Sequence, residues 1–539
     1  MNMEKMDCKF DRAQYLTGQS VTITFPFPLA EPVLGLFRLA EPVDAQIRYS
    51  GKSAVITGIG IGNYGVTVKA CGYCWEGAFD VTDSRRYVTR YGFLSDFTAR
   101  DNDICDVEWM RDLHLNAVQF YDWMYRHDRL LPPQTEYTDP LGREMCLSSV
   151  KKKIDACKAM GIRPFAYGAI YAATKQTFQS HPEWGMYTMD GKPLLFADWL
   201  NYMDISPDSG WPAHLLGEYR KAIEFGFSGI HMDTYGFPKF TWNAEGRPVE
   251  LEQEFPGLIN DAAKQVRECD MEAGVIFNAV NNWPMEAVAR ADQDAVYIEV
   301  WPPNDSYYDL YTLVRNAKRC SGKCVVLAAY MKPFITSPGE KAERALRLTW
   351  AAISASGGTQ LVFGEDRAAL QDSYYANYAR LDRKFAAVVQ KYCDFLVRYA
   401  DLMYDDPGTD VSKTSACGIN EDICLISEQC SFSADAAADT VWTVIRSSHR
   451  RVSLHLINLC GNDNQWNRGK EKPRTIENIL LRLRLDRPLK GIYCASPDNE
   501  SLAARELPCS CEQTAQGRVY ELMIPKVEYW TAVWVEVRE

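Results

Sequence analysis

Histidine is scarce here, seven in 539 residues, and no His-Glu-x-x-His occurs. A catalytic zinc has few ligands to draw on, so no metal and no other cofactor is expected. No run of 18 apolar residues exists, so no membrane-spanning helix and no membrane partner is expected. The opening Met1-Asn-Met-Glu-Lys-Met-Asp-Cys-Lys-Phe10 lacks the apolar centre of a secretory signal. A basic excess is missing too: 59 Lys and Arg face 71 Asp and Glu, a net charge of −12. That argues against a nucleic-acid partner, which would need a basic face. The pair Cys71-Gly-Tyr-Cys74 has no second pair to complete a zinc set, and Cys509-Ser-Cys511 also stands alone. Both read as structural. Gly60-Ile-Gly-Asn-Tyr-Gly65 fits a dinucleotide fingerprint, but the strand pattern Val66-Thr-Val-Lys-Ala70 follows where a helix is required. It reads as a hairpin turn.

Cysteine is plentiful, 17 in all, an odd count scattered through apolar segments at positions such as Cys105, Cys157, Cys324 and Cys393. These read as buried thiols of a cytoplasmic protein. The length predicts two to four domains, and 47% apolar residues suffice for sizeable cores. Residues 1–88 alternate short β-type runs with turns, among them Ser20–Phe25, Ala45–Tyr49, Ser53–Thr57 and Val66–Ala70. That spacing predicts a small immunoglobulin-like β-sandwich. After about residue 400, runs such as Thr440–Ile445, Val452–Ile457, Asn478–Leu485 and Ala532–Val537 predict a second sandwich over 401–539. Within it, Gln465-Trp-Asn467 reads as packing rather than glycan contact.

Between them, over 89–400, strand-like runs recur with amphipathic stretches between. The runs are 92–97, 116–122, 163–169, 229–233, 274–278, 295–299, 323–330 and 359–365. Helices are predicted over Ser149–Met160, closed by Gly161, and over Glu340–Ser354. Eight strand–helix units predict a (β/α)8 TIM barrel. The long third-to-fourth connection has room for extra structure.

In such a barrel the strands' C-terminal ends carry the chemistry. This chain places there Asp96, Asp122, Tyr167, Asp233, Asn278, Glu299, Tyr330, Glu365 and Asp366. Tyr171, Trp199, Tyr235, Trp283 and Trp301 lie in adjoining loops. Gly226-Phe-Ser-Gly-Ile-His-Met-Asp-Thr-Tyr-Gly236 organises the set: an apolar strand ends in Asp233, with His231 on the same strand face. Ala295-Val-Tyr-Ile-Glu299 delivers a second acid on a non-adjacent strand. Carboxylates with flat aromatics suit a sugar, whose hydroxyls bond the acids and whose C–H face stacks on rings. Two carboxyls can cleave a glycosidic bond. A separation of about 5–5.5 Å gives retention of configuration, and about 6.5–9.5 Å gives inversion.

At this point a family resemblance becomes specific. Arg90-Tyr-Gly-Phe-Leu-Ser-Asp-Phe97, Gln119-Phe-Tyr-Asp-Trp123, His181-Pro-Glu-Trp-Gly185 and Gly229-Ile-His-Met-Asp-Thr-Tyr-Gly236 begin it. Phe277-Asn-Ala-Val280, Glu299-Val-Trp301, Tyr374-Tyr-Ala-Asn-Tyr378 and His455-Leu-Ile-Asn-Leu459 continue it. In this order they resemble glycoside hydrolase family 66, the dextranases and cycloisomaltooligosaccharide glucanotransferases. The resemblance implies a retaining mechanism on α-1,6-glucan, dextran or isomaltooligosaccharide. It implies Asp233 as nucleophile, Glu299 as acid/base and Asp122 as a sugar-holding residue. Asp96, Tyr167, Tyr171, His231, Tyr235, Asn278, Trp301, Tyr330 and Glu365 are the further substrate-binding candidates. The cyclising members carry a carbohydrate-binding module inserted in the barrel, and no loop here has room for one, so hydrolysis is expected. Transglycosylation on the same substrates, a non-catalytic glycan-binding protein on a degenerate barrel, and a metal-dependent enzyme are the alternatives.

Overall fold

The computed structural model describes residues 4–70, 72–84, 88–404, 408–415 and 422–538. Cys71 of the Cys-x-x-Cys pair lies outside them. Eight parallel strands form the central sheet: β1 (Tyr91–Leu94), β2 (Ala117–Phe120), β3 (Arg163–Ala169), β4 (Gly229–Asp233), β5 (Gly274–Val280), β6 (Ala295–Glu299), β7 (Cys324–Ala328) and β8 (Thr359–Gln360). They pair in chain order. The circle closes through one parallel bridge, Phe93 to Gly364, and the hydrogen bond from Phe93 N to Phe363 O (3.2 Å). All eight anticipated strands are present.

A helix follows each strand: α1 (Cys105–Asp112), α2 (Leu147–Ala159), α3 (Trp211–Phe225), α4 (Leu251–Cys269), α5 (Met285–Val288), α6 (Tyr307–Ser321), α7 (Glu340–Ala355) and α8 (Arg383–Arg398). Gly161, at φ 74°, supplies the left-handed residue that ends α2. The capping box Ser306/Asp309 starts α6. Strands buried on both faces need continuous apolar sequence. Their inward residues Tyr91, Phe165, Ile276, Tyr297 and Val326 fill the barrel. Outward residues such as Val118, Ile230 and Val275 pack against the helices. Gly229 is required: a Cβ there would lie 2.4 Å from the Phe165 ring and 2.5 Å from the Gly274 carbonyl.

The third connection does hold additional structure. A three-stranded sheet (Ala172–Thr174, Leu195–Phe196, Leu200–Tyr202) follows β3 and places Phe196, Trp199 and Leu200 on the wall of the cavity at the barrel mouth.

Before the barrel lie a six-stranded and a four-stranded sheet. Val21, Ile23 and Ile56 of one share an apolar cluster with Leu36, Val66 and Phe79 of the other. The glycines at 58–62 are not a hairpin. Ser53–Thr57 belongs to the four-stranded sheet and Gly62–Ala70 to the six-stranded one, so the glycine segment crosses between sheets. After the barrel, a seven-stranded and a four-stranded sheet share a second cluster. Gly517–Val527 is a strand although it contains Pro525, which has no amide to donate. The ladder skips it: Ile524 pairs with Ile479 and Lys526 with Glu477, while Asn478 turns to φ 53°.

The thiols need one correction. Cys157, Cys324 and Cys393 are buried, but Cys105, Cys509 and Cys511 are exposed. Cys105 heads α1 on its solvent side, and the other two sit on an outer strand, Cys509–Thr514.

At the foot of the barrel, Arg163 of β3 donates to Asp294 across 2.6 Å, their side chains 4% and 0% exposed. Removing one partner strands a buried charge. Asp294→Ala is expected to cost about 3–5 kcal/mol, read as a lower urea midpoint for the barrel's unfolding transition.

Candidate active site

β4, β5 and β6 each carry a polar side chain near their C-terminal end. Strand alternation brings His231 and Asp233 to the inner face of β4, and Tyr297 and Glu299 to that of β6. Asn278 stands between them on β5. Its Nδ2 donates to Asp233 Oδ1 (2.7 Å) and to Glu299 Oε2 (3.1 Å), so the two oxygens can be no farther apart than those two bonds laid end to end. The second oxygen of each acid has its own donor. Tyr167 of β3 gives its hydroxyl to Asp233 Oδ2 (2.7 Å). Tyr330, just beyond β7, gives its hydroxyl to Glu299 Oε1 (3.0 Å).

The acids face a cavity of about 390 Å³ at the barrel mouth. Its wall includes Asp122, Tyr167, His231, Tyr235, Asn278, Trp301 and Tyr330 from the anticipated set. Asp122 follows β2 with φ 49°, a left-handed conformation an Asp tolerates at some cost, and it caps no helix. Trp301 is 38% exposed, a flat face beside Glu299. The hydroxyl of Tyr91 meets His231 Nδ1 at 3.2 Å from below.

Three anticipated residues lie off the cavity wall. Glu365 is buried behind β1 and β8, where it accepts from the amides of Ser95 (2.8 Å) and Asp96 (2.9 Å). Asp96 accepts from the Thr98 amide at 2.9 Å, a local turn bond. Tyr171 is fully buried; its hydroxyl accepts from the Tyr235 amide (2.6 Å) and donates to the Phe237 carbonyl (3.2 Å). A strand-end position alone does not separate residues that face the cavity from those that tie loops together.

Sequence reading missed Tyr121, His127, Phe196, Ser373 and Tyr375, which also line the cavity. Tyr121 and Tyr375 stack with ring centroids 4.3 Å apart, though one follows β2 and the other lies beyond β8. Both stood in the motifs quoted above without a role. Tyr375 also meets Tyr297 hydroxyl to hydroxyl at 2.9 Å.

Burial governs the electrostatics. It raises Asp233 to about 7, with the charge of Glu299 adding to the rise and the bonds from Asn278 and Tyr167 opposing it. Burial also raises Glu299, against bonds from Asn278, Tyr330 and Trp301. Two carboxyls this close titrate as a pair, and the charge on one holds a proton on the other. Asp122 rises to about 7 by burial, opposed by the Arg143 charge. His231 falls to about 3 by burial and is a neutral imidazole. Two paired carboxyls held by neutral donors beside a wall of rings are parts that acid and nucleophilic chemistry on a sugar requires.

The C-terminal sheets reach this region through one loop. Trp466 is buried, and its Nε1 donates to Asn304 O (2.8 Å). Asn304 Nδ2 in turn donates to Asn281 Oδ1 (2.8 Å) and Trp301 O (3.2 Å). Gln465-Trp-Asn467 therefore braces the segment after Glu299 and does not line the cavity.

Comparison with known proteins follows the same lines. The chain is 24% identical to a cycloisomaltooligosaccharide glucanotransferase of Niallia circulans, over 85% of this chain and 62% of that one. It is 22% identical to a dextranase of Streptococcus salivarius, over 85% of this chain and 64% of that one. The chain thus spans somewhat under two thirds of the length of these relatives. Among solved structures, a Paenibacillus cycloisomaltooligosaccharide glucanotransferase complexed with cycloisomaltoheptaose superposes with a TM-score of 0.88 at 20% identity, covering 99% of this chain and 100% of that chain. An α-amylase of Geobacillus thermoleovorans matches with a TM-score of 0.53 at 11% identity, over 85% of this chain and 99% of that one. The model of glycosyl hydrolase family 66 matches residues 68–534, and the chain belongs to that family.

Proposed function

We propose that this protein is a retaining glycoside hydrolase cleaving α-1,6-glucosidic linkages of dextran or isomaltooligosaccharides. The observation that carries the proposal is the Asn278 bridge, in which one nitrogen donates to an oxygen of Asp233 and to an oxygen of Glu299. Oxygens held that close fall short of the separation that inversion calls for, which supports direct attack. Relatives named for dextran and cycloisomaltooligosaccharides supply the substrate class.

In this reading Asp233 attacks the anomeric carbon while Glu299 gives its proton to the departing glycosidic oxygen. Glu299 then takes a proton from water, which displaces Asp233 and regenerates the acid. The positive charge growing on the anomeric carbon favours ionised Asp233, which leaves the pair's proton on Glu299. Asn278 and Tyr167 aim Asp233. His231, Tyr235 and Asp122 contact the sugar, and Asp122 offers its carboxyl to ring hydroxyls. Transfer to a sugar acceptor is the second reading, favoured by the exposed indole of Trp301 beside Glu299. A glycan-binding protein without catalysis would not need two acids so close.

The same proposal covers organisation and location. We infer a division at 1–88, 89–400 and 401–539, with β-sandwiches, the first immunoglobulin-like, on either side of the barrel; the shared apolar clusters support it. A reducing cytoplasm suits the unpaired cysteines among the described residues. The substrate met there would be short isomaltooligosaccharides.

Product analysis on dextran and isomaltooligosaccharides tests the reaction. Wild type is expected to release the α-anomer first. Glu299→Gln should lose about 10²–10⁴ in kcat, and Asp233→Asn should lose all detectable turnover. Activity surviving in Asp233→Asn would mean that another group is the nucleophile. Tyr167→Phe removes one of two bonds to the nucleophile and is expected to lower kcat about tenfold, with KM little changed.

The pH profile tests the shared proton. Raising the pH strips the pair's last proton, so kcat/KM should fall above about 7, the value to which Asp233 is raised. Asp122→Asn removes a negative charge that raises Asp233, so the alkaline limb should move to lower pH. A limb in the ordinary carboxylate range near pH 4 to 5 would contradict the coupled pair.

A further inference from the structure

A second cavity, about 730 Å³, is larger than the catalytic one and shares no lining residue with it. It lies where the six-stranded sheet, α1, α8 and the 500–502 turn meet. Its floor runs along α8 from Ala386 to Asp394, about 12 Å of helix, longer than one pyranose ring.

The walls are fixed. Glu76 accepts from the Ser501 hydroxyl and the Leu502 amide, each at 2.6 Å. Gln390 donates to the Asp112 carbonyl at 2.5 Å. Lys9 sits between Asp112 (2.8 Å) and Asp7 (3.0 Å), which neutralise it. Asp394 meets the His114 ring at 2.9 Å. A site held this way pays little ordering entropy on binding.

Two indoles complete it. Trp75 is half-buried, packed on Phe10 at 5.4 Å, and its ring lies against Gly77, where a Cβ would meet it at 2.4 Å. Trp109 is 8% exposed, with the Arg367 guanidinium 5.7 Å from its ring centroid, and backs the wall from behind. The fixed Trp75 face beside charge-balanced donors and acceptors matches a neutral polyhydroxylated chain, whose C–H faces stack while its hydroxyls bond. Acids and bases line the groove in equal number, five of each, so it carries no net charge to draw an anion.

We propose that this groove is a second glucan-binding site, which holds a chain while the barrel mouth acts on it. The ligand class rests on the function proposed above. The test uses the full-length Asp233→Asn protein, titrated calorimetrically with isomaltotetraose. Two equivalents are expected to bind. Ala387→Trp, which fills the groove from an exposed helix position, should remove one of them, and Trp75→Ala should weaken that one at least tenfold. In the otherwise wild-type enzyme, Ala387→Trp should leave kcat/KM on isomaltotriose within twofold and raise KM for dextran. One equivalent only, untouched by Ala387→Trp and lost in Trp301→Ala, overturns the second site and leaves the catalytic reading standing. No binding of isomaltotetraose in any variant overturns both. Binding of inorganic phosphate that Ala387→Trp abolishes would overturn the glucan assignment in favour of an anion.

Discussion

Two carboxyl groups buried at one barrel mouth lose their hydration and repel each other. Both effects favour the protonated form of each acid. Asn278 changes that balance. One amide nitrogen, on the strand between the two acids, donates to both. It spaces the carboxyls and lowers the cost of ionising either one. Tyr167 and Tyr330, from β3 and from just beyond β7, satisfy the outer oxygens. Five consecutive strand ends thus cooperate in one hydrogen-bonded chain.

Much of the remaining structure keeps that chain in register. A parallel barrel fixes each strand against its neighbours, so a one-residue slip would turn every inward side chain outward. Tyr91, His231 and Tyr297 pack as a layer beneath the acids and exclude water from below. Glu365 ties the ends of β1 and β8 at the point where closure is weakest, a single bridge. The buried Arg163–Asp294 pair locks the opposite end. Outside the barrel, Asp401 accepts from Arg38 and Asn63, and Trp466 supports the segment after Glu299. The sheets after the barrel therefore brace the segment that follows Glu299, and those before it are tied to the segment after α8.

Burial shifts the acids' titration, and it is also a cost to stability. Asp122, Asp233 and Glu365 all rise to about 7 because water is excluded from them. Glu365 shares the shift but not the setting: backbone amides and the Ser95 hydroxyl occupy its oxygens, with none directed at the cavity. A raised carboxyl marks a functional group only where it also faces a space a substrate can enter.

The sequence by itself determined the eight strands, the order of elements, and the two acids at the ends of β4 and β6. Those readings rest on local rules: apolar runs bounded by glycine, helices closed by glycine, and the placement of chemistry at strand ends. Tertiary structure decided what local rules cannot reach. It brought Tyr121, after β2, onto Tyr375, beyond β8, turned Glu365 and Tyr171 away from the cavity, and carried the glycine segment before Gly62 from one sheet to the other. It also set the separation of Asp233 and Glu299, which follows from the tilt of non-adjacent strands and the length of one asparagine side chain. Spacing along a chain records which strand a residue is on. Distance across a barrel depends on how all eight strands close.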